Sequence, residues 1–203
     1  MNLEKDEYLT ISREGKGLYK EKGSKFIAVV FHVRSEEEVK SHLLSLRKEY
    51  HDARHHSYAY RIDPANSRHR INDDGEPSGT AGKPIFGQIQ SFELTDILVV
   101  VIRYFGGTKL GVSGLIKAYK TASREALSNS VIIKKTINNE ITFKFEYSVL
   151  NQVMRIIKEL EPRITEQLFD LECNMRLRIR ETMTNQLVSR LSKIKSVEII
   201  RQE

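Results

Sequence analysis

The chain has 203 residues, 39% of them apolar and 30% charged, with a formal net charge of +6. That length holds one domain of ordinary size plus a smaller one, each able to bury a core without staples, and the apolar content with modest net charge excludes a disordered chain. The single Cys173 excludes an internal disulfide, the longest apolar run (Ile97 to Ile102) is far too short to span a bilayer, and the polar start MNLEKDEYLT lacks the apolar stretch of a secretory signal, so a cytoplasmic location without a membrane partner is expected.

In chain order, KFIAVVFHV (Lys25 to Val33) predicts a strand. SEEEVKSHLLSLRKEY predicts a helix, because Ser35 and Glu38 form a capping box, acids fill the first turn, and Val39, Leu43, Leu46 and Tyr50 make an apolar stripe. HHSYAYRI (His55 to Ile62) alternates as a strand. The stretch INDDGEPSGTAGKPIFG (Ile71 to Gly87) then concentrates Asp73, Asp74, Glu76, two prolines and four glycines, and leads into a short helix expected from about Pro84. DILVVVIRYF is apolar on both faces, which predicts a central strand covered on both sides. Past Gly106 and Gly107 a long helix places Leu115, Tyr119, Ala122 and Ala126 on one face and a basic stripe of Lys117, Lys120 and Arg124 on another.

The pattern breaks at KKTINNE, which predicts domains at 1–136 and 137–203. The first carries 22 Lys and Arg against 17 Asp and Glu and all six His; the second carries 11 against 10. Any electrostatic grip on a polyanion is therefore expected mainly in the first. The tail reads as a strand (ITFKFEY), a helix through Val149, Val153, Ile156 and Leu160, a strand near Ile164 to Leu171, the strand NMRLRIR, a helix through Leu187, Leu191 and Ile194, and the strand SVEIIR. That order is the ferredoxin-like βαββαβ pattern, so the fold class is α+β. In NMRLRIR, Met175, Leu177 and Ile179 face one way and Arg176, Arg178 and Arg180 the other, onto the open face of the sheet. This ladder could meet phosphate or an acidic protein, or be balanced by charge on a neighbouring strand carrying Lys144 and Glu146. The aromatic signature of an RNA-recognition module is absent.

Familiar motifs fail on spacing. GTAGKP has Pro84 where a P-loop needs Ser or Thr, GGTKLGVS has Val112 where it needs Lys, and no G-x-G-x-x-G occurs. His55, His56, Asp73, Asp74 and Glu76 offer metal-binding atoms, but adjacent histidines on a strand point to opposite faces, so neither a metal nor a cofactor is expected. Ser113 lies between glycines at the wrong spacing for a nucleophile elbow and suits a helix cap.

Taken together, KGSKFIA, DARHHSYAY, NDDGEPSGTAGKPI and VVVIRYFGGTKLGVSGLIKAY, in order across about residues 22 to 120, resemble the IMPACT family and its bacterial YigZ-like members. The resemblance implies a first domain folded like the second domain of ribosomal protein S five and a second similar to the last domain of elongation factor G. Eukaryotic relatives are regulators of translation acting on the starvation-sensing kinase that controls initiation; for bacterial members the family gives no settled reaction. The resulting expectation is a translation-associated regulatory binding protein that contacts RNA, the ribosome or a translation-related protein through Lys117, Lys120, Arg124, Arg176, Arg178 and Arg180. Within it, Asp73, Asp74 and Glu76 order a loop whose amides at Gly79, Thr80, Gly82, Gly106 and Gly107, with Lys83, Arg103 and Lys109, form an anion-binding hollow. The alternatives are a protein-only regulator, or an enzyme on a phosphorylated small molecule using His55, His56 or Asp74. No catalytic residue and no oligomeric state follow from the sequence.

Overall fold

Three strands open the chain in the structure, a computed structural model that describes residues 5–170 and 172–202: β1 (Glu7–Arg13), β2 (Lys16–Glu21) and β3 (Ser24–His32). They are followed by α1 (Glu36–Glu49), β4 (His55–Ile62), β5 (Arg68–Asn72), α2 (Gly82–Ser91), β6 (Ile97–Tyr104), α3 (Gly111–Ser128) and β7 (Val131–Thr136). The chain divides into two units, Tyr8–Lys135 and a second formed by Thr136 onward with the described residues up to Glu7.

In the first unit the strands form a five-stranded sheet in the order β2-β3-β6-β4-β5, each neighbouring pair antiparallel, while β1 and β7 pair separately. β6 is central, as its two-sided apolar sequence requires: Ile97, Val99 and Val101 pack under α2 and α3, and Leu98, Val100 and Ile102 pack under α1. α1 starts as the sequence predicts, with the Ser35 hydroxyl accepting from the Glu38 amide, although the Glu38 carboxylate reaches back to the amide of Arg34 rather than Ser35. α2 begins at Gly82, two residues before the expected Pro84, which sits in the first turn where its missing N–H is no loss.

The second unit contains β8 (Asn138–Glu146), a short 3₁₀ turn, α4 (Leu150–Leu160), β9 (Arg163–Leu168), β10 (Glu172–Arg180), α5 (Glu181–Leu191) and β11 (Val197–Gln202). The strand order β11-β8-β10-β9, all antiparallel, is ferredoxin-like, and the whole chain is α+β as expected. Phe143, Phe145, Met175, Leu177, Ile156 and Leu187 fill its core between the sheet and the two helices. The expected strand end at Leu171 and the start of the chain at Met1 to Glu4 lie outside the described residues.

Candidate functional site

The acidic, glycine-rich loop is built around Asp73. Its carboxylate accepts from the amides of Gly79 at 2.9 Å, Ala81 at 3.0 Å and Gly82 at 2.8 Å, so an internal anion already occupies the positive end of α2. Gly82 is required there, because a Cβ would lie 2.8 Å from the Asn72 amide nitrogen. Asp74, in the left-handed region at φ 46°, accepts from Arg47 and from the His56 amide, both at 2.7 Å, and its carbonyl lies 2.7 Å from His55 Nδ1. The His56 ring is buried, and burial, with Arg47 nearby, pushes its pKa below the usual range.

Glu76 turns inward. Arg103, at the end of β6, donates from Nη1 to both of its carboxylate oxygens at 2.6 and 2.9 Å, and the Tyr119 hydroxyl of α3 donates to Oε1 at 2.8 Å. All three are buried. The Ser57 hydroxyl lies 2.7 Å from the Asp73 carbonyl and 3.4 Å from the Tyr119 oxygen, and the Arg103 guanidinium sits over the rings of Phe26 and Phe105. Burial first, and the carboxylate of Glu76, hold the Tyr119 hydroxyl far above the ordinary phenol range, so it acts as a permanent donor. This network anchors the loop to β4, β6 and α3.

The expected hollow is accordingly reduced. The amides of Gly79 and Gly82 are taken by Asp73, the Thr80 hydroxyl is buried and donates to the Pro77 carbonyl, and the charge of Arg103 is consumed by Glu76. Gly106 serves a close backbone approach: its amide donates to Ser24 Oγ, and a Cβ would lie 1.9 Å from the Gly23 carbonyl carbon. Gly107 (φ 86°), Lys109 and Lys83 remain exposed, and α3 begins after Leu110 with neither a side-chain cap nor an acid in its first turn; Ser113 is helical rather than capping. The sequence reading missed Tyr119 as a member of the network. A phenol on the buried stripe of α3 was the available signal, since such a hydroxyl demands a partner.

The two basic surfaces differ. On β10 every arginine meets carboxylate: Arg176 pairs with Glu166 at 3.1 Å, Arg178 with Glu140 at 3.1 Å, and Arg180 with the buried Asp6 at 2.6 Å. The ladder is thus a set of matched pairs, and Lys144 is likewise held by Glu172 and Glu198. On α3, by contrast, Lys117, Lys120 and Arg124 are exposed and form no ion pair among the described residues. The one acid of that helix, Glu125, accepts from the Leu18 amide at 3.1 Å. Lys120, Arg124 and Ser128 of α3 line a shallow cavity of about 390 Å³ with Gln88, Ser91 and Phe92 of the neighbouring α2 region. Among the described residues no His, Cys, Asp and Glu cluster could hold a metal, and no helix is long and apolar enough to cross a membrane.

The family model described as the Impact N-terminal domain matches residues 22–127. IMPACT family member YigZ of Escherichia coli (strain K12) is 36% identical over 145 residues, 70% of this chain and 71% of the relative. IMPACT family member YvyE of Bacillus subtilis (strain 168) is 30% identical over 178 residues, 88% of this chain and 82% of the relative. A solved structure described only as that of a hypothetical protein superposes with a TM-score of 0.72 at 28% identity, covering 96% of this chain and 97% of that one. With the four motifs lying on one folded unit and these relatives aligned over most of their length, the chain belongs to the IMPACT family.

Proposed function

We propose that this chain is a translation-associated regulatory protein that binds RNA, free or in the ribosome, through the α2–α3 face of its first unit. The observation that carries the reading is the contrast between surfaces: Lys117, Lys120 and Arg124 stand exposed without carboxylate partners, whereas Arg176, Arg178 and Arg180 are each matched. Lys83 and Lys109 extend the same sign of charge on α2 and on the turn before α3. α1, on the opposite side of the sheet, carries Glu36, Glu37, Glu38 and Glu49 against Lys40, Arg47 and Lys48, and Arg47 is held by Asp74. Unpaired cations on one rigid helix attract phosphate and release its counterions. Family membership supports the link to translation. Gly107, Lys109 and the uncapped start of α3 are what remains of the anion site, at one end of this face. The enzymatic reading is weaker, because of its candidates Asp74 is held by Arg47 and the His56 amide, His55 Nδ1 lies against the Asp74 carbonyl, and the His56 ring is buried.

Co-sedimentation with ribosomes and binding to ribosomal RNA across a salt series test the proposal. Binding weakens steeply with salt, by a log–log slope of roughly −0.7 to −0.9 per phosphate contact. Lys120→Glu with Arg124→Glu flattens that slope by about two contacts while leaving the urea midpoint unchanged. Salt-insensitive association, or a partner that survives nuclease treatment undiminished, favours a protein-only regulator instead.

A further inference from the structure

β5 is an edge strand, paired only with β4, and its His69 lies flat on Phe86 of α2 with ring centroids 4.5 Å apart and planes 16° from parallel. The face is fixed by register. Ile71 pairs with Ala59, a residue of the core beneath α2 and α3, so Ile71 and His69 both project to the α2 side. His69 is nonetheless exposed, and Ile71 is 43% exposed beside it. Directly opposite His69 on β4 stands Arg61, whose Nε donates to Ser67 Oγ at 2.8 Å and which has no carboxylate partner among the described residues. Lys83, exposed and equally unpaired, lies one helical turn before Phe86 and therefore on the same side of α2. The result is an exposed flat ring backed by a second ring, with one cation opposite it on β4 and another one turn away on α2.

We infer that this edge is a stacking site for single-stranded RNA: a nucleobase lies on the outer face of His69, and Arg61 and Lys83 take the adjoining phosphates. Stacking on an aromatic platform between cations is the general chemistry of single-strand binding, since every base offers a π face. A duplex cannot use it, because its bases are already stacked and the flat faces are hidden. An acidic peptide would satisfy the two cations but not the ring. The inference rests on the RNA-binding reading above and sharpens it, extending the contact face past Lys83 to the β5 edge and adding a preference for unpaired strands.

The test measures fluorescence anisotropy of labelled oligouridine and oligoadenine 12-mers and of a duplex of equal length, with the wild type, His69→Ala, His69→Tyr and the Lys120→Glu, Arg124→Glu pair. The expected result is that His69→Ala weakens single-strand binding about tenfold, within the range found for loss of one stacked base. His69→Tyr, which keeps a ring, holds affinity within about threefold, and duplex binding is unchanged by either. Equal single-strand affinity for wild type and His69→Ala, with the α3 pair still weakening binding, overturns the stacking site and leaves the RNA-binding reading intact. Failure of the wild type to bind any of the three nucleic acids overturns both.

Discussion

Asp73 and Glu76, two acids three positions apart in the chain, are separated in role by what surrounds each one. Asp73 stays near the surface and collects backbone amides; Glu76 is buried and must be neutralised by Arg103 and Tyr119. Removing the charge of Glu76 alone strands a buried guanidinium, whose remaining compensation is the ring faces of Phe26 and Phe105. Glu76→Gln therefore destabilises the first unit by about 3–5 kcal/mol, the usual cost of breaking a buried pair from one side. Adding Arg103→Met removes the orphaned charge, so the double variant recovers part of the loss in a urea titration. A double variant no more stable than Glu76→Gln would mean that the network matters through shape, not charge.

At the level of elements, the start of α2 depends on a residue nine positions upstream of it. Asp73→Ala leaves the amides of Gly79, Ala81 and Gly82 without their common acceptor and lowers stability by about 2–3 kcal/mol, whereas Asp73→Asn, which keeps one acceptor oxygen, loses roughly half of that. Urea midpoints of the two variants check the ranking, and equal midpoints refute it. The same dependence explains what could be read from the chain in advance. α1 and β6 were legible because their signals are local: a cap with a stripe, and an apolar run. β5 was not, since RHRIN carries no alternation and becomes a strand only by pairing with β4. The basic stripe of α3 followed from helical period, and its exposure from the buried stripe opposite. Whether each cation had a partner was invisible, because Glu166, Glu140 and Asp6 come to the β10 arginines from other strands or from the far end of the chain.

Asp6 shows the same limit across the whole molecule. By composition it belongs with the first domain, yet its carboxylate is fully buried in the second unit, where it accepts from Arg180 Nε at 3.1 Å and Nη2 at 2.6 Å and from the Thr182 hydroxyl at 2.6 Å. The amide of Ile137 also donates to the Asp6 carbonyl, so the first described residues are stitched to the residue just before β8. Hydrogen bonds from Arg180, then from Thr182, outweigh burial and hold the Asp6 carboxyl well below its usual 3.8. A depressed carboxyl stabilises the fold fully above its unfolded value and ceases to do so as pH falls through the lower, folded one. The second unit should accordingly keep its Asp6 contribution at neutral pH and lose it progressively as pH falls below the usual 3.8 of the carboxyl. Asp6→Asn removes that contribution at every pH, because its amide nitrogen faces the guanidinium as donor against donor, at a cost of about 2–3 kcal/mol. Hydrogen exchange locates the effect: the amides of β10 and α5 lose protection at neutral pH while those of β3 and β6 keep theirs. If β10 and α5 exchange at the wild-type rate, the contact is incidental and the second unit stands on residues 137 onward alone.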